Sequence, residues 1–460
     1  MNASLSFQGG TLVLKGVEQD CAVHPAFRWI KARWRCEAYH YPVIADWLKT
    51  DGLPQGDHLR NSVPRWQKLA LTLQDQREPH DYQVEALQAW ARANWQGSIV
   101  LPTGAGKTFV AIRAIYRVAR STIVVAPTID LLHQWYARLV NAFGIEIGVY
   151  YGGEKRVQPI TVTTYHSAGD LMAEAGNQFK LVIYDEVHHL PAPSWGETAL
   201  MSPATCRLGL TATYPEPHEQ EEGRWRIDQL IGPIIYEKRL DDLVGQQLAE
   251  YRTERLRVDL TPAERQRYDA DYAIYADFFR SRELPRKHGA KWWRELMWLS
   301  AFDDEARSAL LARQRITRLL AGAEGKLVTL DKLLNEHCQE RILIFTESNE
   351  VVYQIARRHL IPALTHETKA AERKAILEAF QTGHYRALVT SKVLNEGIDV
   401  PEAKVAIVLG GNAGAREYIQ RLGRVLRKVG NQQAVLYEII VRKTVDESRA
   451  QRRRPQKEPA

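Results

Sequence analysis

A glycine-rich segment of the chain has the residue types that bind phosphate groups. Residues 101–108 have the sequence LPTGAGKT, and they lie between an apolar run at 98–101 that predicts a strand and a helical pattern at 107–120. Glycine lets backbone N–H groups approach phosphates closely, while Lys107 can reach the terminal phosphates and Thr108 can hold Mg²⁺. The segment therefore predicts a site for ATP and Mg²⁺, and its predicted contact residues are Thr103, Gly104, Ala105, Gly106, Lys107 and Thr108.

The segment departs from the strict phosphate-loop pattern at its first position. That pattern begins with glycine, where this chain has Leu101. A glycine-rich turn that binds nothing is the alternative interpretation. The preceding strand and the following helix favour the phosphate site.

Two adjacent carboxylates follow another apolar strand pattern, at residues 181–184. They are Asp185 and Glu186. Ligands of parallel sheets bind beyond the carboxyl ends of the strands, so Asp185 can hold Mg²⁺ and Glu186 can orient and deprotonate an attacking water. A helix N-cap is the alternative role of such acids when they occur alone.

Three arginines recur at every third position of a predicted helix at 415–427. They are Arg421, Arg424 and Arg427. Guanidinium groups can neutralise the charge that develops on a transferred phosphoryl group. A solvated basic helix face is the alternative, and it would be preferred without the other two motifs.

The apolar patterns around these segments predict an α/β protein. Between 80 and 250, and again from 341 to 440, short β-rich runs alternate with helical patterns, as in doubly wound parallel sheets. Residues 255–325 have a helical pattern that starts with a capping signal at 261–264, and residues 7–16 predict a hairpin around two glycines. The predicted domains are a small α+β domain, a first sheet domain, a helical insertion, a second sheet domain and a basic disordered tail, at residues 1–75, 76–250, 251–325, 326–445 and 446–460.

An aromatic and basic stretch at 27–42 allows two interpretations. Its aromatic rings could stack on distorted DNA while the interleaved basic side chains hold phosphates. Alternatively, the rings fill the core of a small domain and the basic side chains face water, which composition alone favours. The residues concerned are Arg28, Trp29, Lys31, Arg33, Trp34, Arg35, Tyr39 and Tyr41. The basic residues at 280–294 likewise fit either a phosphate grip or a solvated face.

Composition limits the class of protein without identifying its partner. The net charge of +7 is compatible with a phosphate-rich partner, but many basic proteins bind no nucleic acid. The four cysteines lack metal-ligand spacing, and no window of 18 apolar residues occurs. We therefore expect an intracellular, cytoplasmic protein with no membrane segment and no metal other than Mg²⁺.

Together these motifs resemble those of the superfamily 2 helicases and translocases, over residues 77–440. The further segments that carry the resemblance are Tyr82-Gln83, APT at 126–128, VTTY at 162–165, LTAT at 210–213, NEGIDVP at 395–401 and QRLGRVLR at 420–427. The resemblance implies two RecA-like domains, with Gln83 on the adenine and Asp399 among the nucleotide contacts. The catalytic residues that it implies are Lys107, Asp185, Glu186, Gln420, Arg424 and Arg427.

Within that superfamily the chain is most similar to the XPB family in its short prokaryotic form. The strings that carry this similarity are DEVHHLPA at 185–192, RLGLTAT at 207–213, LNEGIDVPEA at 394–403 and AREYIQRLGRVLR at 415–427. The resemblance implies ATP-driven movement on single-stranded, forked or duplex DNA, 3′ to 5′ unwinding, and nucleotide excision repair at the nucleoid with a nuclease partner. It also implies that residues 1–75 resemble a damage-recognition domain and residues 251–325 a thumb.

Two departures from the family pattern bear on function. Residues 214–223 have the sequence YPEPHEQEEG, without the arginine of the family's strand-separating Arg-Glu-Asp element, although Arg224-Trp225-Arg226 follows and could substitute for it. His80 and Asp81 precede Tyr82, where an arginine is common nearby. The motifs therefore support ATP hydrolysis and translocation more strongly than unwinding. The alternatives are an RNA helicase, another superfamily 2 motor without strand separation, or a binding module that uses nucleotide as a switch.

Overall fold

The chain folds into two compact units, Met1–Asp242 and Leu243–Ala460. The computed structural model describes residues 3–50, 60–215, 225–238, 242, 251–282, 292–391, 403–410 and 434–452. The first unit contains two sheets and the second contains one, and each unit has its own buried core. Within the described ranges, no helix is both long enough and apolar enough to span a membrane.

The first unit begins with a five-stranded sheet covered by one helix. Its elements are β1 (Ser4–Gln8), β2 (Thr11–Lys15), β3 (Arg28–Ile30), β4 (Arg33–Glu37), α1 (Tyr41–Thr50) and β5 (Arg60–Asn61). The predicted hairpin is confirmed, because β1 and β2 pair antiparallel around Gly9 and Gly10. Their φ angles of 55° and 74° lie in the left-handed region that glycine adopts at low cost. Leu5, Leu12 and Ile44 are fully buried between the sheet and the helix.

Two tyrosines of the aromatic stretch pack within the protein. Tyr41 is buried in the core of the small sheet. The ring of Tyr39 lies under the guanidinium of Arg207, 4.4 Å from its centroid, and its hydroxyl donates to the carbonyl of Gln229. The core interpretation is therefore correct for Tyr41, while Tyr39 packs the small domain against the larger sheet.

The rest of the first unit is an eight-stranded sheet with helices. The strands are β6 (Gln96–Val100), β7 (Thr122–Ala126), β8 (Gly148–Tyr151), β9 (Glu154–Arg156), β10 (Ile160–Thr164), β11 (Leu181–Asp185), β12 (Cys206–Thr211) and β13 (Ile234–Glu237). The helices are α2 (Asp81–Arg92), α3 (Lys107–Val118), α4 (Ile129–Phe143), α5 (Tyr165–Ala175), α6 (Pro193–Leu200) and α7 (Ile227–Leu230). The strand order is β13-β6-β12-β11-β7-β10-β8-β9, and every described pair except β8–β9 is parallel. The α/β prediction is confirmed.

The register of the parallel strands brings their carboxyl ends to one edge of this sheet. Thr211 of β12 pairs with Val100 of β6, and Asp185 of β11 pairs with Leu210. On the other side of β11, Thr164 of β10 pairs with Ala126 of β7. The loops that leave these strands therefore meet at the edge where parallel sheets bind ligands.

The second unit has a six-stranded parallel sheet in the order β14-β19-β18-β15-β17-β16. Its strands are β14 (Tyr251–Val258), β15 (Ile342–Phe345), β16 (Ala363–Leu364), β17 (Ala387–Thr390), β18 (Val405–Val408) and β19 (Ala434–Val441). Its described helices are α8 (Pro262–Arg282), α9 (Trp292–Leu299), α10 (Asp304–Ala321), α11 (Glu324–Glu336), α12 (Asn349–His359), α13 (Ala370–Gln381) and α14 (Val445–Arg452).

The helical insertion begins with the predicted capping box. The Thr261 backbone N–H donates to the Glu264 carboxylate over 2.9 Å, and the Glu264 N–H donates to the Thr261 hydroxyl. Tyr268 of α8 is buried, and its hydroxyl accepts a hydrogen bond from the Val445 N–H. This residue therefore packs α8 against the start of α14.

The first residues of the predicted helical insertion belong to the second sheet instead. All of β14 pairs in parallel with β19, from Tyr251 opposite Ala434 to Val258 opposite Val441. The sequence prediction was wrong here because β14 is an edge strand, YRTERLRV, whose many charged residues hide the apolar alternation of a strand.

The start of the predicted disordered tail is also ordered. Residues 445–452 form α14, and its Asp446 carboxylate lies 2.6 Å from the ammonium of Lys326, with both side chains almost fully buried. Lys326 also donates to the carbonyl of Leu409, just after β18. Composition predicted a disordered polar tail, but a buried ion pair holds the helix at its start against the rest of the second unit.

We expect Asp446→Asn to lower the free energy of unfolding of the second unit by about 3–5 kcal/mol, because it leaves a buried ammonium without its counter-charge. Urea unfolding followed by hydrogen exchange measures this loss. The control is Glu378→Gln, which removes the exposed Lys374–Glu378 pair and should change stability little. Equal stability of the two variants would contradict a structural role for the buried pair.

Candidate active site

The predicted phosphate loop lies between β6 and α3, at the carboxyl edge of the first sheet. Gly104 and Gly106 have φ angles of 89° and 81°, so both need the left-handed region. Lys107 begins α3, and its ammonium donates to the carbonyl of Leu101 over 3.2 Å. The Leu101 side chain is fully buried. The departure from glycine at this position therefore places an apolar side chain in the core.

Two residues of α2 contact the backbone of this loop. The hydroxyl of Tyr82 and the side-chain amide of Gln83 both donate to the carbonyl of Ala105, over 2.8 and 3.1 Å. The Gln83 oxygen accepts a hydrogen bond from the His80 N–H and so caps α2. Gln83 thus supports the loop, and its predicted contact with adenine stays a prediction.

Asp185 and Glu186 lie together at the end of β11, with exposed fractions of 6% and 7%. The Asp185 carboxylate accepts hydrogen bonds from the indole N–H of Trp135 over 2.8 Å and from the Glu186 N–H over 3.0 Å. Its backbone carbonyl accepts one from the Tyr165 hydroxyl. Glu186 has a φ of 48°, a strained conformation for a residue with a side chain. The strand end is therefore held in one specific geometry.

The electrostatics of this pair favour a bound cation. Burial and repulsion from the Glu186 carboxylate raise the pKa of Asp185, while the Trp135 hydrogen bond and the charge of Lys107 oppose that rise. Among the described residues, Glu186 Oε2 has no hydrogen-bond partner. Hydroxyl and carboxylate oxygens, as in Thr108 and Asp185, are the donor set that Mg²⁺ prefers. The residues present therefore fit Mg²⁺ and a phosphorylated ligand.

His188 connects the acid pair to the end of β12. Its Nδ1 lies 2.9 Å from the hydroxyl of Thr211 and 3.5 Å from Glu186 Oε2. The Thr211 hydroxyl in turn donates to the carbonyl of Thr213. The side chain of His188 therefore links the LTAT turn at 210–213 to the Glu186 carboxylate.

The structure brings together only part of the predicted site. Lys107, Thr108, Asp185 and Glu186 lie on neighbouring loops of one sheet edge. The remaining predicted residues, Asp399, Gln420, Arg424 and Arg427, lie outside the described residues, as does most of the 214–223 segment.

Two residues of the site were not predicted from the sequence. Trp135 contacts Asp185, and Arg138 donates to the hydroxyl of Thr108 over 2.8 Å. The available signal was a tryptophan within one of the helical patterns between 80 and 250, since a buried indole N–H needs an acceptor.

Comparison with known proteins agrees with this geometry. Residues 76–216 match the family described as type III restriction enzyme, res subunit, and residues 325–429 match the helicase conserved C-terminal domain. The chain is 38% identical to the DNA 3′-5′ translocase XPB2 of Sulfurisphaera tokodaii, over 96% of this chain and 98% of that protein. It is 32% identical to the DNA 3′-5′ helicase XPB of Kineococcus radiotolerans, over 81% of this chain but 61% of that protein.

A solved structure shares the fold. The helicase domain of Pyrococcus furiosus Hef superposes with a TM-score of 0.52 at 19% identity, and the match covers 81% of this chain and 97% of that one. At this identity the match supports the predicted fold of two RecA-like domains.

We expect Gly106→Ala to weaken ATP binding about tenfold, because the left-handed backbone costs an L-residue about 1–2 kcal/mol. A Cβ atom at Gly106 would also lie 2.5 Å from the amide nitrogen of Gln83. Titration with a fluorescent ATP analogue measures the affinity. The control is Gly153→Ala, where an added Cβ meets no atom within 4 Å. Wild-type affinity in Gly106→Ala would exclude this loop as the phosphate site.

Proposed function

The chain belongs to the XPB family of superfamily 2 helicases, and from this premise we propose that it hydrolyses ATP at the loop and acid pair of the first unit to move along DNA. The observation that supports this most is the buried Asp185–Glu186 pair beside the loop that ends in Lys107 and Thr108. A binding module that uses nucleotide only as a switch has no need of a second buried acid.

The proposed roles follow from the position of each group. The loop N–H groups and Lys107 bind the phosphates, and Thr108 and Asp185 hold Mg²⁺. Mg²⁺, when bound, neutralises charge on the phosphate oxygens. Glu186 orients a water molecule and accepts its proton as the water oxygen bonds to the terminal phosphorus. The bond between that phosphorus and the bridging oxygen then breaks, and ADP leaves with the electron pair.

The His188–Thr211 contact provides a route from chemistry to movement. Glu186 changes its charge when it takes the proton, and His188 lies within 3.5 Å of it. His188 also holds Thr211 of the LTAT turn, the motif that couples hydrolysis to domain movement in the family. We infer that protonation of Glu186 alters this contact. The proposal that Arg424 and Arg427 neutralise charge on the transferred phosphoryl group rests on the family resemblance alone.

Translocation is better supported than strand separation. The relative that the chain matches over 98% of its length is named a DNA 3′-5′ translocase. Residues 214–223 contain no arginine, whereas the strand-separating element of the family carries one, and Arg224 and Arg226 follow directly after this segment. The family resemblance further suggests 3′ to 5′ polarity, a role in excision repair at the nucleoid and a nuclease partner.

We expect Glu186→Gln to reduce ATP turnover at least about 100-fold while ATP binding stays within about twofold, because general-base catalysis contributes about 10²–10⁴-fold. Single-turnover hydrolysis and binding of a fluorescent ATP analogue measure the two properties. Glu154→Gln, on exposed β9, is the control and should behave as wild type. Undiminished hydrolysis in Glu186→Gln would remove Glu186 as the base.

We expect DNA, and not RNA, to stimulate the ATPase. Steady-state rates with single-stranded DNA, duplex DNA, forked DNA and RNA test this, with strand displacement on forks carrying 3′ or 5′ tails in parallel. Stimulation by duplex DNA without displacement would identify a translocase. Stimulation by RNA alone would contradict the proposal and favour an RNA helicase.

A further inference from the structure

Helix α4 reaches both residues that we propose hold Mg²⁺. The indole N–H of Trp135 donates to Asp185 Oδ2 over 2.8 Å, and the guanidinium of Arg138 donates to Thr108 Oγ1, also over 2.8 Å. Trp135 and Arg138 are three residues apart, so they project from one side of the helix. α4 packs against β7, which lies beside β11 in the sheet, and against β10, which is the next strand after β7. One rigid element therefore contacts both oxygen ligands.

The Trp135 contact fixes the orientation of the Asp185 carboxylate. Oδ1 accepts the Glu186 N–H, and Oδ2 accepts the indole N–H, so the two oxygens are held by donors from different elements. A carboxylate oxygen has two lone pairs, so each oxygen keeps one for a further partner. Trp135 is only 1% exposed, which prevents water from replacing its N–H as the donor.

The indole is also the neutral donor that this position requires. Asp185 and Glu186 are adjacent buried acids, and Lys107 already acts on Asp185 from the phosphate loop. A second cationic side chain on Oδ2 would compete with Mg²⁺ for the carboxylate, whereas an N–H group orients it without adding charge. Arg138, which does carry charge, contacts the neutral hydroxyl of Thr108 instead.

We propose that Trp135 is a positioning residue that holds the Asp185 carboxylate ready for Mg²⁺, with Arg138 steadying the second ligand, Thr108. This inference rests on the proposed ATPase function and adds to it a helix that no motif of the phosphate site includes. Loss of the indole N–H should weaken the contribution of Mg²⁺ to nucleotide binding. It should leave the Mg²⁺-independent part of binding unchanged.

The test compares two tryptophans in one unit. Trp135→Phe and Trp90→Phe each remove one buried indole N–H; that of Trp90 donates to the carbonyl of Arg207 over 2.9 Å, at the opposite end of the sheet. Both changes remove a similar volume and one hydrogen bond. General loss of stability therefore affects both variants, whereas only Trp135→Phe alters the Asp185 carboxylate.

The readout is the affinity for a fluorescent non-hydrolysable ATP analogue, titrated with Mg²⁺ and repeated in EDTA. We expect Trp135→Phe to need at least about tenfold more Mg²⁺ for the half-maximal gain in affinity, since a lost hydrogen bond to a charged group is worth about this factor or more. Its affinity in EDTA should stay within twofold of wild type. Trp90→Phe should match wild type in both conditions.

A wild-type Mg²⁺ requirement in Trp135→Phe, or the same shift in Trp90→Phe, would overturn the inference. If Trp135→Phe does not fold, replacement of Trp135 by β-(3-benzothienyl)alanine keeps the bicyclic shape and removes only the N–H, and the same shift is expected. Failure of the proposed function looks different, because the wild-type protein would then show no Mg²⁺-dependent nucleotide binding at all.

Discussion

The parallel register of the strands in the first sheet is the constraint on which the rest of the site depends. Parallel strands must all end on the same edge, so residues far apart in sequence become neighbours once their strands pair. Thr211 lies beside Val100, and Asp185 beside Leu210, which brings the phosphate loop, the acid pair and the LTAT turn together. A slip of one residue in β11 would turn Asp185 to the other face of the sheet.

Burial determines what the assembled edge can do. Two adjacent carboxylates with little access to water are unfavourable unless donors and cations lie nearby. The protein supplies N–H donors from Trp135 and from the backbone of Glu186, together with the positive charge of Lys107. Within the described residues Glu186 Oε2 has no hydrogen-bond partner, and the His188 imidazole lies 3.5 Å from it. The residues at this edge therefore fit a bound cation.

The sequence was sufficient for features that local chemistry determines. The phosphate loop, the acid pair after β11, the hairpin around Gly9 and Gly10 and the capping box at Thr261 all follow from residue types at fixed spacing. The family strings added the superfamily and the XPB family. Features that depend on distant pairing could not be predicted in the same way. β14 becomes a strand because β19 lies beside it, and α14 is held by Lys326, 120 residues earlier. Trp135 contacts Asp185 only because α4 packs against β7, the strand beside β11.

The location of the metal in a nucleotide complex tests the central claim most directly. A crystal structure with Mn²⁺ and a non-hydrolysable ATP analogue would locate the metal by its anomalous scattering. The expected result is a metal beside the Thr108 hydroxyl and the Asp185 carboxylate, with the terminal phosphate between Lys107 and Glu186 and the Trp135 N–H still on Asp185. Nucleotide bound elsewhere, or a metal that contacts neither residue, would contradict the account.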